Sequence, residues 1–121
     1  MTLGQKQRLF TQLIGHLIAY AYANGFELTF GDAYRDPRVH GELGTKKSYS
    51  SAGSVHKERL AVDFNLFKDG VFQTTTEAHK TLGAYWKSLH PECRWGGDFQ
   101  DSAGRPKPDG NHYSMTNGGR A

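Results

Sequence analysis

The chain has one cysteine, Cys93, in 121 residues. That excludes an intrachain disulfide framework and any zinc site built on thiolates. Cys93 itself reads as a small, partly buried apolar residue. No apolar run is long enough to cross a bilayer: residues 9–23 come nearest, and Gln12 and His16 interrupt them. Residues 1–8 contain no continuous apolar stretch of the signal-peptide kind. Neither a signal peptide nor a stable membrane association is expected, and the product is expected to stay in the cytoplasm as a monomer. Lysine and arginine exceed the acids by 15 to 12 for a formal charge of +3, yet they form no run and no helical stripe. A dedicated nucleic-acid binder is therefore not expected, while the mild excess suits an anionic partner. No internal repeat and no linker is visible, so residues 1–121 read as one domain.

Hydrophobic residues make up 36% and aromatic residues 12%, enough for a modest core. Fifteen glycines predict many tight turns. Thr2 and Gln5 fit a capping box, and Phe10, Leu13, Ile14, Leu17, Ile18 and Ala21 recur at helical spacing up to the stop at Asn24-Gly25. Phe26, Leu28 and Phe30 alternate as in a half-buried strand, which ends at Tyr34-Arg35-Asp36-Pro37. Residues 38–53 read as a long irregular loop, and loops of that length in compact domains are often functional. Leu60, Val62, Phe64 and Leu66 make one face of a second strand, with Asp63 on the other, and Asp69-Gly70 supplies a hairpin turn. Thr74 and Glu77 suggest a second capping box, opening a helix that carries Ala78, Leu82, Tyr85, Trp86 and Leu89 and stops at Pro91. His79 and His90 have no ligand-like neighbours and read as surface residues. Arg94 begins a short strand that runs into a glycine turn before Phe99. A last strand over residues 111–115 carries His112. The pattern is α+β: a small domain with a central antiparallel sheet and two main helices.

Three residues stand out chemically. His56 and Asp63 lie seven apart, and His112 follows Asp109-Gly110-Asn111. Two imidazoles and a carboxylate, with another carboxylate nearby, are what a catalytic zinc needs: three ligands, one open position and a base. The spacing alone leaves structural histidines as the alternative. The helical zinc-protease signature is absent, since His56-Lys57-Glu58-Arg59-Leu60 does not fit it. Arg35 at a strand end points either into a cleft or to an ion pair with Asp32 or Asp36. Asp109 is either a base or a turn residue, because Asp-Gly favours turns.

Ser54-x-His56, Asp63, Trp95-Gly96-Gly97-Asp98-Phe99 and Asp109-x-x-His112, in this order, resemble the VanY-like zinc peptidases. That family includes D-alanyl-D-alanine carboxypeptidases, D-Ala-D-Ala dipeptidases and phage L-alanyl-D-glutamate endopeptidases. The likeness runs from Tyr34-Arg35 to His112. It implies the Hedgehog/LAS-type fold, Zn2+ on His56, Asp63 and His112, Asp109 as general base, and Arg35 steadying the oxyanion or substrate. It also implies a supporting role for Ser54, by hydrogen bonding. Asp98 is the rival base, expected instead to orient a ligand histidine or to be a plain turn carboxylate. Asp-Gly-x-His is similar to the phage endopeptidases in particular. The implied activity is hydrolysis of peptidoglycan stem peptides by an endolysin, with a D-Ala-D-Ala carboxypeptidase or dipeptidase, or an inactive zinc-bearing module, as alternatives. One departure is visible: the family often has a glycine before the Ala-x-Asp segment, where this chain has Arg59-Leu60.

Overall fold

The computed structural model describes residues 1–121. Helix α1, Leu3–Ala23, starts at the expected capping box: the Thr2 hydroxyl accepts from the Gln5 amide, and the Gln5 side chain accepts from the Thr2 amide. It stops at Asn24, and Gly25 follows with φ +83°. Strand β1, Phe26–Phe30, pairs antiparallel with β2, Ala61–Lys68. Asp69 and Gly70 both take positive φ, as a tight hairpin requires, and return the chain into β3, Val71–Gln73. Strand β5, His112–Met115, pairs with the start of β2, and β4, Cys93–Trp95, pairs with β5. The sheet order is β1-β2-β5-β4, with β3 extending β2 beyond β5.

Strand alternation divides the sheet into two faces. Val62, Phe64 and Leu66 of β2 join Tyr113 and Met115 of β5 under α1 and α3 (Lys80–Leu89). Phe10, Leu13, Leu17 and Ala21 come from α1, and Leu82 and Trp86 from α3. Trp86 is fully buried, and its indole N–H is shared between the Arg94 and Ser114 carbonyls, so its one polar atom is satisfied. Gly83 lets α3 approach Trp95, since a Cβ there would sit 2.2 Å from the indole. Asp63 and His112 occupy the opposite face.

The structure differs from the sequence reading at three places. Residues 38–53 are not wholly irregular: Asp36 caps a short helix, α2, Pro37–His40, through its carboxylate and the Arg38 amide. The Thr74–Glu77 capping box is absent. Instead Glu77–His79 forms a 3-10 turn before α3, and the Thr75 hydroxyl accepts from the Ala78 amide. The glycine turn expected after Trp95 is present as a 3-10 turn, Gly96–Asp98.

The third difference is His79, which is 4% exposed rather than superficial. Its Nδ1 lies 2.9 Å from the buried Tyr113 hydroxyl. His79 stands three, four and seven residues before the buried Leu82, Gly83 and Trp86, so helical spacing already puts it on the inner face of α3; only its lack of ligand-like neighbours made it read as superficial. Burial disfavours the charged imidazole and pushes its pKa down from 6.5 to about 4. Between those values the unfolded chain holds a proton that the folded chain does not. Stability is therefore complete above pH 6.5 and falls as pH drops, by about 3 kcal/mol by pH 4. Urea unfolding at pH 7 and pH 4.5, with chelator present, should show this loss. A His79→Asn protein should show a smaller dependence, and equal dependence in the two would remove His79 as the cause.

Candidate metal centre

His56 sits in a 3-10 turn, Val55–Glu58, that Ser54 caps through its hydroxyl and the His56 amide. The turn closes on Arg59 at φ 57°, the left-handed conformation that a glycine adopts at least cost. This is the position where the sequence departs from its resemblance. The Arg59 guanidinium lies 3.9 Å from the Tyr34 ring centroid, and that contact offsets part of the backbone cost. The backbone turns here as a glycine would and leads from the His56 turn into the strand that carries Asp63.

Asp63 and His112 are direct partners across β2 and β5. The Phe64 amide bonds the Asn111 carbonyl at 3.0 Å, which makes Asp63–His112 the narrow, non-hydrogen-bonded kind of pair, whose side chains lie closest. Gly31 leaves room on the other flank, where a Cβ would sit 3.0 Å from the Asp63 carbonyl oxygen. Gly96 does the same for His112: a Cβ there would lie 1.9 Å from the Asp109 carbonyl oxygen and 2.8 Å from the His112 Cβ.

These elements bring His56, Asp63 and His112 together as a group able to hold a metal ion. The His56 Nδ1–H donates to the Ala33 carbonyl at 2.8 Å, which leaves the Nε2 lone pair free. That lone pair faces Asp63 Oδ1 at 3.3 Å, and His112 Nδ1 faces the same oxygen at 3.5 Å. His56 Nε2 and Asp63 Oδ1 are both buried without a hydrogen-bond partner. Two acceptors facing each other in a buried site call for a cation between them. Ligands about 2.0–2.2 Å from a tetrahedral zinc stand about 3.3–3.6 Å from one another. The donor set and its spacing fit that ion.

Arg35 stands beside this group. Its Nη2 is 3.6 Å from Asp63 Oδ2, its Nε 3.3 Å from Asp32 Oδ2, and its Nη1 donates to the Ser54 hydroxyl at 3.3 Å. The two readings of Arg35 thus hold together: it pairs with Asp32 and also reaches the cleft. Tyr49 donates to the same Asp32 oxygen, the chief reason that the Asp32 carboxyl lies below its usual range. Asp109 is 55% exposed, with Oδ2 3.9 Å from His112 Nδ1. A cleft of about 550 Å³ opens over these groups, lined by Arg35, His56, Lys107, Asp109 and His112 among others. Asp98 is not gathered with them. Its carboxylate bonds Lys87 at 2.7 Å, and no hydrogen bond joins it to either histidine.

Lys57 is a residue that the sequence reading did not single out. Its ammonium is buried and donates to the carbonyls of Thr45 at 2.7 Å, Glu42 at 3.3 Å and Ala52 at 3.5 Å. It gathers the loop that carries Tyr49 and Ser54 onto the turn that carries His56. Nothing in the local pattern marks such a lysine, because its partners are main-chain groups. Lys57→Met should cost about 1–3 kcal/mol, because the Thr45 carbonyl loses its donor, while the Glu42 and Ala52 carbonyls keep the Thr45 and Gly44 amides. Urea unfolding would read the loss, and hydrogen exchange should rise first at Gly44, whose amide bonds Ala52 in the same loop.

No protein-family model and no curated protein sequence matches the chain. Solved structures do. The L-Ala D-Glu endopeptidase ChiX of Serratia marcescens superposes with a TM-score of 0.65 at 17% identity, over 93% of this chain and 85% of that one. The vancomycin-resistance D,D-pentapeptidase VanY, in complex with Zn(II), superposes with a TM-score of 0.56 at 19% identity, over 88% of this chain and 70% of that one. The chain has the fold of these two peptidases.

Proposed function

We propose that this protein is a zinc peptidase that hydrolyses peptidoglycan stem peptides, with His56, Asp63 and His112 as the ligands. The observation that carries the reading is the convergence of these three side chains beside Arg35 and Asp109, in a fold shared with an L-Ala D-Glu endopeptidase and a Zn(II)-bound D,D-pentapeptidase. Zinc, when bound, supplies Lewis acidity, which lowers the pKa of water to roughly 7 and polarises a carbonyl. Asp109 takes a proton from the attacking water and passes it to the leaving amine. Arg35 balances the negative charge that develops on the carbonyl oxygen, and the Ser54 hydroxyl and Asp32 fix its direction. The His56 bond to Ala33 keeps the imidazole in the ligating tautomer.

Within this class we place the activity at the L-alanyl-D-glutamate bond, in a monomeric phage-type endolysin made in the host cytoplasm and acting at lysis. The Asp-Gly-Asn-His segment and the likeness to ChiX support that choice. The likeness to VanY favours a second reading, removal of C-terminal D-alanine. No helix is long and apolar enough to cross a membrane. Digestion of purified peptidoglycan with mass analysis separates the readings. Fragments newly ending in L-alanine are expected. Release of D-alanine alone would move the assignment to the carboxypeptidases, and zinc uptake without cleavage would leave an inactive zinc-bearing module.

A further inference from the structure

Asp109 borders two cavities. One is the cleft over the metal ligands. The other, of about 340 Å³, lies on the far side of the Pro108–Asp109 segment, and those two residues line both. Its volume falls in the usual range of small-ligand sites, roughly 300–1,000 Å³. The two cavities differ in chemistry. Arg35 and Lys107 line the first, whereas no lysine or arginine lines the second. The second presents Asn65, Gln73, Thr75, Thr76 and Asn111, with Phe72 51% exposed among them. Its wall is firmly placed, because Gly110 packs so closely on Thr76 that a Cβ would lie 2.6 Å from the Thr76 Cα.

We propose that this second cavity is a subsite for the amino-sugar end of the substrate, the N-acylated sugar whose lactyl group is amide-linked to the stem peptide. The proposal rests on the peptidase reading above and specifies which part of the substrate lies where. Side-chain amides and hydroxyls both donate and accept, which suits a ligand rich in hydroxyl and amide groups. An exposed aromatic ring offers a flat apolar surface for the C–H face of a sugar. The lactyl carboxyl is consumed in its amide, so this end of the substrate carries no charge. The carboxylates lie beyond the L-alanine, on the side where the cations are. Reach agrees with this placement. At about 3.3–3.6 Å per extended residue, one alanine separates the sugar from the L-alanyl-D-glutamate bond, whereas four residues, about 13–14 Å, separate it from a D-Ala-D-Ala bond. A cavity that begins at Asp109 serves the first arrangement and not the second.

The test compares an N-acetylmuramoyl tetrapeptide with the same tetrapeptide bearing a free amino terminus. The wild-type protein should cleave the sugar-bearing substrate about tenfold better in kcat/KM. Phe72→Ala and Gln73→Ala should each remove most of that advantage through KM, and leave kcat and the free peptide unaffected. Separately, N-acetylmuramoyl-L-alanine should shift the backbone amide resonances of Gln73, Thr75 and Asn111, and L-alanine amide should not. Equal cleavage of both substrates without these shifts would overturn the subsite and leave the peptidase reading standing. Shifts without cleavage of either substrate would retain the sugar site and overturn the peptidase. Absence of both would overturn both.

Discussion

Asp109→Ala protein should keep its zinc and lose about 10²–10⁴-fold in kcat, the usual contribution of a positioned general acid–base group. The position allows a clean test because the fold uses the Asp109 main chain, not its carboxylate. The Asp109 amide donates to the Gly96 carbonyl at 2.8 Å, and its carbonyl accepts from the His112 amide at 3.1 Å. Both bonds survive truncation of the side chain. The carboxylate is more than half exposed and lies nearly 4 Å from the closest ligand nitrogen, so its removal takes no donor from the metal. Zinc analysis and turnover should therefore separate. Asp109→Glu, with the same group on a longer arm, should recover part of the rate. Full activity in the zinc-loaded Ala variant would exclude Asp109 as the base and leave it a turn residue.

Asp63→Ala should act at the other end of the chemistry, by abolishing tight zinc binding and, with it, hydrolysis. The residue supplies the one anionic donor of the three and faces both imidazoles. Loss of an outer hydrogen-bond partner of a ligand costs roughly 10–100-fold in metal affinity, and loss of the ligand itself should cost more. The vacated place also borders the Arg35 guanidinium, a cation that opposes the metal once its carboxylate is gone. Competition against a chromophoric chelator reads the affinity directly. A 1:1 zinc complex of unchanged strength would remove Asp63 from the ligand set.

Much of this site could be read from the sequence, and the reasons are specific. The capping box at Thr2, the alternation across β2 and the Asp69-Gly70 hairpin are local signals, and local chemistry decides them. The His56–Asp63–His112 group is not local. Spacing offered the three residues as candidates, and the order of short motifs gave them a meaning, but only the β2–β5 register puts Asp63 opposite His112. What escaped the sequence reading lies in tertiary contacts. The His79–Tyr113 contact, the three carbonyls around Lys57 and the Lys87–Asp98 pair each join segments whose own patterns carry no sign of the partner. Arg59 escaped for another reason: a left-handed arginine is uncommon, and the ring of Tyr34 that favours it comes from the irregular segment after β1.

The narrow pairing of Asp63 with His112 also bears on how the molecule comes apart. A chain with one cysteine cannot cross-link itself through sulfur. An ion held by His56, Asp63 and His112 would do that work, tying the first central strand to the last and closing the long stretch of chain between them. Like a disulfide, such a clasp removes freedom from the opened chain, and it does so more the longer the loop it closes. Unlike a disulfide, it is released by a chelator or by acid and indifferent to reductants. The same three side chains proposed as the zinc ligands would then also be the molecule's fastener, and its resistance to unfolding would follow the supply of metal.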